Sequence, residues 1–217
     1  MTLVRRGQVL AAGLLLLLGA PRAWAGVPTD QLKTQIDRAI KVLDDLAGKK
    51  DTKVQARRAA VRKIANEIFD FGETAKRSLA RHWTPRTPAE REEFVRLFAD
   101  LLERSYISRI ELYGGEKIAY VGETIDGDQA VVRTRLVTRQ GTEIPVEYRM
   151  HLRDGKWLVY DVVIEGVSLI ANYRAQFNKI IRAGSYEDLV ARLEAKTRSD
   201  AQASARTTAE PSKTSSP

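Results

Sequence analysis

The chain has 217 residues, 43% hydrophobic and 29% charged, with a net charge of +8; this excludes a wholly disordered chain and suits one domain with a sizeable core. Cysteine is absent and the only histidines are His82 and His151. Disulfides, thiolate metal sites, cysteine nucleophiles, cysteine-linked lipid anchors and three-histidine metal centres are therefore excluded.

Residues 1–25 read as a cleaved secretory signal. Arg5 and Arg6 supply the basic start, Val9 to Leu18 the apolar run, and Ala23-Trp24-Ala25 the small-x-small cleavage pattern. The apolar run is shorter than the roughly 20 residues a membrane span needs. Removing Arg5, Arg6 and Arg22 lowers the charge from +8 to +5 over the remaining 192 residues. That modest excess suits weak attraction to anionic membrane surfaces, and nucleic acid is the wrong partner for an exported chain. Residues 26–197 are expected to form a single domain. Residues 198–217, rich in Ser, Thr, Ala and Pro, are expected to be a disordered tail.

The first half reads as helical. Leu32, Ile36, Ile40 and Leu43 recur at helical spacing, with Thr29 or Asp30 as N-cap. Val54, Val61, Ile64 and Ile68 mark a second helix, and Phe69 and Phe71 lead into a short third near Ala75 and Leu79. Thr87-Pro88-Ala89-Glu90 is a capping box with proline at the first helical position. The helix it opens carries Phe94, Leu97, Phe98, Leu101, Leu102 and Tyr106 on one face and is expected to stop at Gly114-Gly115.

The period then switches to two. Strands are expected over 117–124, 130–138, 144–153 and 156–164, with turns at Asp126-Gly127-Asp128 and Asp154-Gly155. In the third, Ile144, Val146, Tyr148, Met150 and Leu152 face one way and Pro145, Glu147, Arg149, His151 and Arg153 the other. A two-residue turn at Asp154-Gly155 sets Leu152 opposite Trp157, Met150 opposite Val159, Tyr148 opposite Asp161 and Val146 opposite Val163. A three-residue loop at 140–142 sets Leu136 opposite Val146, Val132 opposite Met150 and Arg135 opposite Glu147. The far face of the last strand is also apolar (Leu158, Tyr160, Val162, Ile164) and requires cover. Helices resume at Ser168, with Leu169, Tyr173, Phe177 and Ile180 on one face, and again at Ser185, whose acidic capping box with Asp188 precedes Leu189, Val190 and Leu193. Helices, meander and helices make an α+β fold: a twisted four-stranded antiparallel meander packed with N- and C-terminal helices.

The catalytic inventory is thin. There is no nucleophile elbow, Walker loop, HExxH or Gly-rich dinucleotide turn, so no catalytic residue and no metal ligand is assigned. His82 and His151 read as ordinary surface or capping side chains. Asp161 has two readings. It is either a buried acid–base group paired with Tyr148, or a carboxylate bonded to Tyr148 or backbone in a core network.

The stretch 160–177, YDVVIEGVSLIANYRAQF, resembles the MlaC, or toluene-tolerance, family of periplasmic phospholipid-binding proteins. FVRLFADLLERSYISRIELY at 94–113, GEKIAYVGE at 115–123 and IPVEYRMHLRDGKWLVYDV at 144–162 also fit that pattern. The resemblance implies helices and sheet around a deep apolar pocket, with acyl chains inside and the headgroup near the mouth. It implies a non-enzymatic periplasmic carrier with bound phospholipid as cargo and no cofactor. Its implied partners are an outer-membrane lipoprotein complex and an inner-membrane ABC transporter with an MCE-type subunit. A carrier of hopanoid or another polycyclic lipid is the alternative within lipid binding. An acid–base enzyme and a solid structural adaptor are the alternatives outside it. Two chains of about 15 carbons give on the order of 20 kcal/mol of burial relative to water, but a membrane already provides it, so transfer to a dry cavity is nearly balanced.

Given a pocket, the strand registers select its wall: Val146, Tyr148, Met150, Val159 and Val163 from the sheet, Leu97, Leu101 and Tyr106 from the long helix, and Leu169 and Tyr173 from the helix after Gly166. Gly166 is expected to permit the sharp strand-to-helix change. Arg149 and Arg174 are expected at the mouth or at a partner contact.

Overall fold

The computed structural model describes residues 27–46, 52–111 and 115–209; the expected signal segment lies outside the described residues. Six helices and five strands follow in the order α1 (Pro28–Leu46), α2 (Thr52–Ile68), α3 (Phe71–Leu79), α4 (Pro88–Glu111), β1 (Lys117–Asp126), β2 (Gln129–Val137), β3 (Glu143–Arg153), β4 (Lys156–Ile164), β5 (Val167–Ser168), α5 (Leu169–Ala183) and α6 (Tyr186–Ala209). Strands pair antiparallel in sequence order, so the sheet is a meander with β1 at one edge and the short β5 at the other.

Local capping chemistry sets most helix starts. Thr87 N donates to Glu90 Oε2 at 2.6 Å and Glu90 N donates back to Thr87 Oγ1 at 3.3 Å, completing the capping box of α4. Ser185 and Asp188 exchange equivalent bonds at 2.9 and 3.1 Å to open α6. Ser168 Oγ accepts from Ala171 N at the start of α5. At α1 the expected cap is displaced: the helix begins at Pro28, and Thr29 instead binds Glu123 of β1 through its N–H (3.1 Å) and hydroxyl (2.5 Å). Pro28 suits the first helical position because its missing N–H has no helical acceptor. The helix α6 runs to Ala209, twelve residues beyond the expected domain limit at 197. The stretch Asp200-Ala-Gln-Ala-Ser-Ala-Arg contains good helix formers that prolong a helix already nucleated upstream. The ends of α1 and α4 and the start of α2 leave the side chains of Leu43 and Val54, and Gly114, outside the described residues.

Two strand registers differ from expectation. In β2–β3, Val132 faces Tyr148, Thr134 faces Val146 and Leu136 faces Ile144. The connecting loop is five residues, closed by Thr138 N to Thr142 O (2.9 Å), Gly141 N to Thr138 O (3.0 Å) and Thr142 N to Thr138 Oγ1 (3.1 Å). The slip is two residues, so every side chain keeps its expected face. Arg133, not Arg135, therefore faces Glu147, at 3.6 Å, and Arg135 binds Glu143 at 3.0 Å.

In β3–β4 the first half follows expectation: Leu152 faces Trp157 and Met150 faces Val159. A bulge then inserts one residue, so that Arg149 faces Asp161, Tyr148 faces Val162, Glu147 faces Val163 and Val146 faces Ile164. An odd insertion reverses the faces. Asp161 and Val163 join Glu147 and Arg149 on the far side, while Val162 and Ile164 join Tyr148 and Val146 on the inner side. The expected Tyr148–Asp161 and Val146–Val163 pairs are thus corrected. A further strand, β5, intervenes before α5. Glu165 (φ 50°) and Gly166 (φ 80°) form a tight left-handed turn, so Gly166 serves a hairpin rather than a direct strand-to-helix corner.

The helices bury two separate cores. Helices α3, α4, α5 and α6 enclose Phe94, Leu97, Phe98, Leu101, Phe177 and Leu189. Helix α1 packs on α2 and against β1, β2 and β4, enclosing Leu32, Ala130, Val132, Met150, Trp157 and Val159 with the inner sheet face. Gln31 of α1 pins this second core by accepting from Trp157 N at 2.9 Å.

Candidate functional site

The inner face of the sheet changes character along its length. At the end nearest the Asp154-Gly155 turn, Ala130, Met150 and Val159 are at most 3% exposed beneath α1. Toward the opposite end, Ile118, Leu136, Ile144, Tyr148 and Val162 are only half-buried, and Ile164 is 41% exposed. Directly paired residues share a face, so Ile118, Leu136 and Ile144 form one rung, Val146 and Ile164 the next, and Val132, Tyr148 and Val162 the third. Val167, paired with Ile164 across the β4–β5 turn, is 63% exposed. The apolar face thus runs out from beneath its helices toward solvent.

Two hydroxyls on this face contrast. Thr134 is buried and donates to Val146 O at 3.0 Å. Tyr120, directly opposite Thr134, has a buried hydroxyl with no hydrogen-bond partner among the described residues. Leaving such a group unpaired costs about 1–3 kcal/mol. Burial pushes the Tyr120 phenol far above its ordinary range, with Tyr148 and Asp37 acting in the same direction. Burial likewise raises Tyr148 to about 12.

The far face is occupied by two carboxylate networks. Asp161, 3% exposed, accepts from Ser168 Oγ at 2.6 Å, from Ile170 N at 3.1 Å and from Arg149 Nη1 at 3.3 Å. It therefore clasps the start of α5 to β3 and β4, which is the core-network reading, with Ser168, the Ile170 backbone and Arg149 as partners in place of Tyr148. The acid–base pair is not assembled, because the bulge puts Asp161 and Tyr148 on opposite faces. Asp70 caps α3 by accepting from Glu73 N at 2.9 Å, and also binds Arg153 at 2.9 Å and His151 at 3.1 Å. Burial opposes ionisation of Asp70, but the Glu73 N–H, Arg153 and His151 together outweigh it and hold the carboxyl below its usual value. His151 meets the Tyr160 ring edge-on at 5.9 Å. Arg77 stacks on the same ring at 3.9 Å. His82 is half-buried, 3.1 Å from Asn178 Oδ1 of α5. Among the described residues no group of three or more His, Asp or Glu side chains is placed to hold a metal.

The residues singled out from sequence fall into separate places. Leu97 and Leu101 are buried in the helical core, with Tyr106, Leu169 and Tyr173 packed against it. Met150 and Val159 are buried in the sheet core, with Tyr148 against it. Val146 is buried one rung further along, 8% exposed, and Val163 is buried on the far side. Arg149 binds Asp161, and Arg174 Nε donates to Arg77 O at 3.0 Å. Four further inner-face residues lie beyond the sequence-derived wall: Leu136 and Ile144 follow from the strand pattern, whereas Ile118 and Tyr120 are placed there by the pairing of β1 with β2. A cleft of about 380 Å³ opens between α1, α2 and β4, but Asp30, Gln35, Glu67 and Lys156 line it as well as Leu32 and Trp157, a mixed lining unlike a dry apolar pocket.

The fold and this face define an α+β protein with a half-open apolar sheet surface, a geometry suited to an apolar ligand. The chain belongs to the MlaC family, whose profile, described as MlaC protein, matches residues 33–195. It is 24% identical over 121 residues to the intermembrane phospholipid transport system binding protein MlaC of Haemophilus influenzae, a match covering 54% of this chain and 56% of that relative. It is also 24% identical over 176 residues to toluene tolerance protein ttg2D of Pseudomonas putida, covering 78% of this chain and 81% of the relative. Among solved structures it is similar to the phospholipid-binding protein from Ralstonia solanacearum in complex with a phospholipid. The TM-score is 0.71 at 25% identity, covering 81% of this chain and 99% of the other.

Proposed function

We propose that the chain is a periplasmic phospholipid carrier, exchanging lipid between an outer-membrane lipoprotein complex and an inner-membrane ABC transporter with an MCE-type subunit. The observation that carries this reading is the fold shared with a phospholipid-bound protein over 99% of its length. The apolar sheet face supports it physically. Acyl chains gain about 25 cal/mol per Å² of apolar surface removed from water, and half-buried Ile118, Leu136, Ile144, Tyr148 and Val162 offer such surface, the carboxylate of Glu123 at the end of the Tyr148 rung being held by Thr29. In this reading Val146 and Tyr148 touch the chains, backed by Met150 and Val159. Leu97, Leu101, Tyr106, Leu169 and Tyr173 belong to the helical core and brace the carrier from outside this surface, with Val163 behind the sheet. The reading requires no cofactor and no bond-making step.

Native mass spectrometry of the purified mature protein tests the proposal. The expected result is a bound species that dissociates as phospholipid and exchanges with vesicle lipid. Protein that emerges empty and takes up no lipid from vesicles overturns it, and a bound polycyclic hydrocarbon redirects it to hopanoid-type cargo.

A further inference from the structure

The buried Tyr120 hydroxyl is a donor without an acceptor among the described residues. Its cross-strand neighbour Thr134 takes the local carbonyl, Val146 O, and a bulge between Tyr120 and Gly122 interrupts the pairing beside it. The ring packs against the sheet core, on the same inner face as Val146 and Tyr148. Buried polar atoms in folded proteins find partners, so an orphan donor on a ligand-facing surface points to an acceptor supplied by the ligand. Charge decides which acceptor. Lys33 has its Nζ 5.9 Å from the Tyr120 ring centre but is paired at 2.5 Å with Asp37. The Asp37 charge acts on the phenol in the sense that disfavours a second anion. A phosphate here would be buried without compensation, whereas a neutral carbonyl would not.

We propose that Tyr120 Oη donates a hydrogen bond to an ester carbonyl of the bound phospholipid, selecting ester-linked over ether-linked chains and fixing their depth on the sheet. This rests on the carrier reading above and names the group that reads the cargo. A site built around a hydrogen bond discriminates against a ligand lacking the partner, because the donor is then left unpaired.

The test offers the mature protein equimolar vesicles of dipalmitoyl phosphatidylcholine and its dihexadecyl ether analogue, and counts both bound lipids by mass spectrometry. One neutral hydrogen bond corresponds to a preference of roughly fivefold for the ester. Tyr120→Phe keeps the ring and removes the donor, so its ratio is expected to fall to about one with folding intact. Tyr160→Phe, on the far face where Arg77 stacks on the ring, is expected to keep the preference. Equal uptake by the wild type, or a preference that survives Tyr120→Phe, overturns the assignment and leaves the carrier reading standing. Loss of preference in Tyr148→Phe alone moves the donor to Tyr148 and overturns it too. Uptake of neither lipid by the wild type overturns both readings together.

Discussion

The two cores of this protein are built differently. The helical core interlocks aromatic rings: Phe98 meets Tyr173 and Phe177 nearly edge-on at 5.0 and 5.2 Å, and Phe94 meets Phe177 at 5.6 Å. Its central side chains Phe94 and Phe98 are at most 1% exposed. The sheet core is closed only at the end beneath α1, and its apolar face emerges half-covered at the other. Edge-to-face rings add about 0.5–1.5 kcal/mol per pair beyond their burial, so the helical core is a rigid block. The sheet face combines aliphatic side chains with one orphaned hydroxyl, a surface that gains from being covered by something else.

That contrast predicts unequal responses to substitution. The largest effect is expected in the block: Phe98→Ala should cost about 3–5 kcal/mol, read from the denaturant midpoint at constant slope. A loss below about 1 kcal/mol would show that the helical core is as compliant as the sheet face. Next comes the clasp between the two regions. Asp161→Ala leaves the Ile170 N–H and Ser168 hydroxyl without their buried acceptor and should cost about 2–3 kcal/mol. Hydrogen exchange should then rise first in the opening turn of α5, and unchanged protection there would show that the clasp is dispensable.

The Asp70 network is expected to appear in the acid limb. Because the folded-state pKa of Asp70 lies below its unfolded value, the stability it contributes is complete above the unfolded value, about 3.9. It is lost as pH falls through the folded one. Asp70→Asn should therefore flatten the stability profile below about pH 4. Parallel wild-type and variant profiles in that range would contradict this.

At the sheet face, Val146→Trp sharpens the comparison most directly. If the half-open face accepts the ring, stability should change by less than about 1 kcal/mol, against the roughly 1–3 kcal/mol that overpacking a solid core costs. Bound lipid should fall sharply on the same sample. A depressed thermal midpoint with lipid retained in the folded fraction would mark Val146 as solid core. The smallest effect is expected at His82→Ala, outside both cores: within about 0.5 kcal/mol, with lipid exchange unchanged. Abolished exchange in a folded, lipid-loaded variant would overturn the non-enzymatic reading.

The amino-acid sequence by itself determined what depends on residues three or four apart. The capping boxes at Thr87–Glu90 and Ser185–Asp188, the Ser168 start, and the Asp154-Gly155 turn were legible because each side chain bonds within its own turn. The inward and outward parity of β2 and β3 was legible too, since a period-two pattern survives a slip of two residues. Only the tertiary structure decided the slip itself, the bulge that carries Asp161 away from Tyr148, and the extra pairing of Val167 and Ser168. Asp161 sits on the far side because its carboxylate is matched there by Arg149, Ser168 and the Ile170 backbone, partners supplied by β3, β5 and α5 together. The division of the apolar residues into a closed block and a half-open face was equally beyond periodicity. Periodicity tells which side of an element is apolar, while coverage depends on where the other elements come to rest.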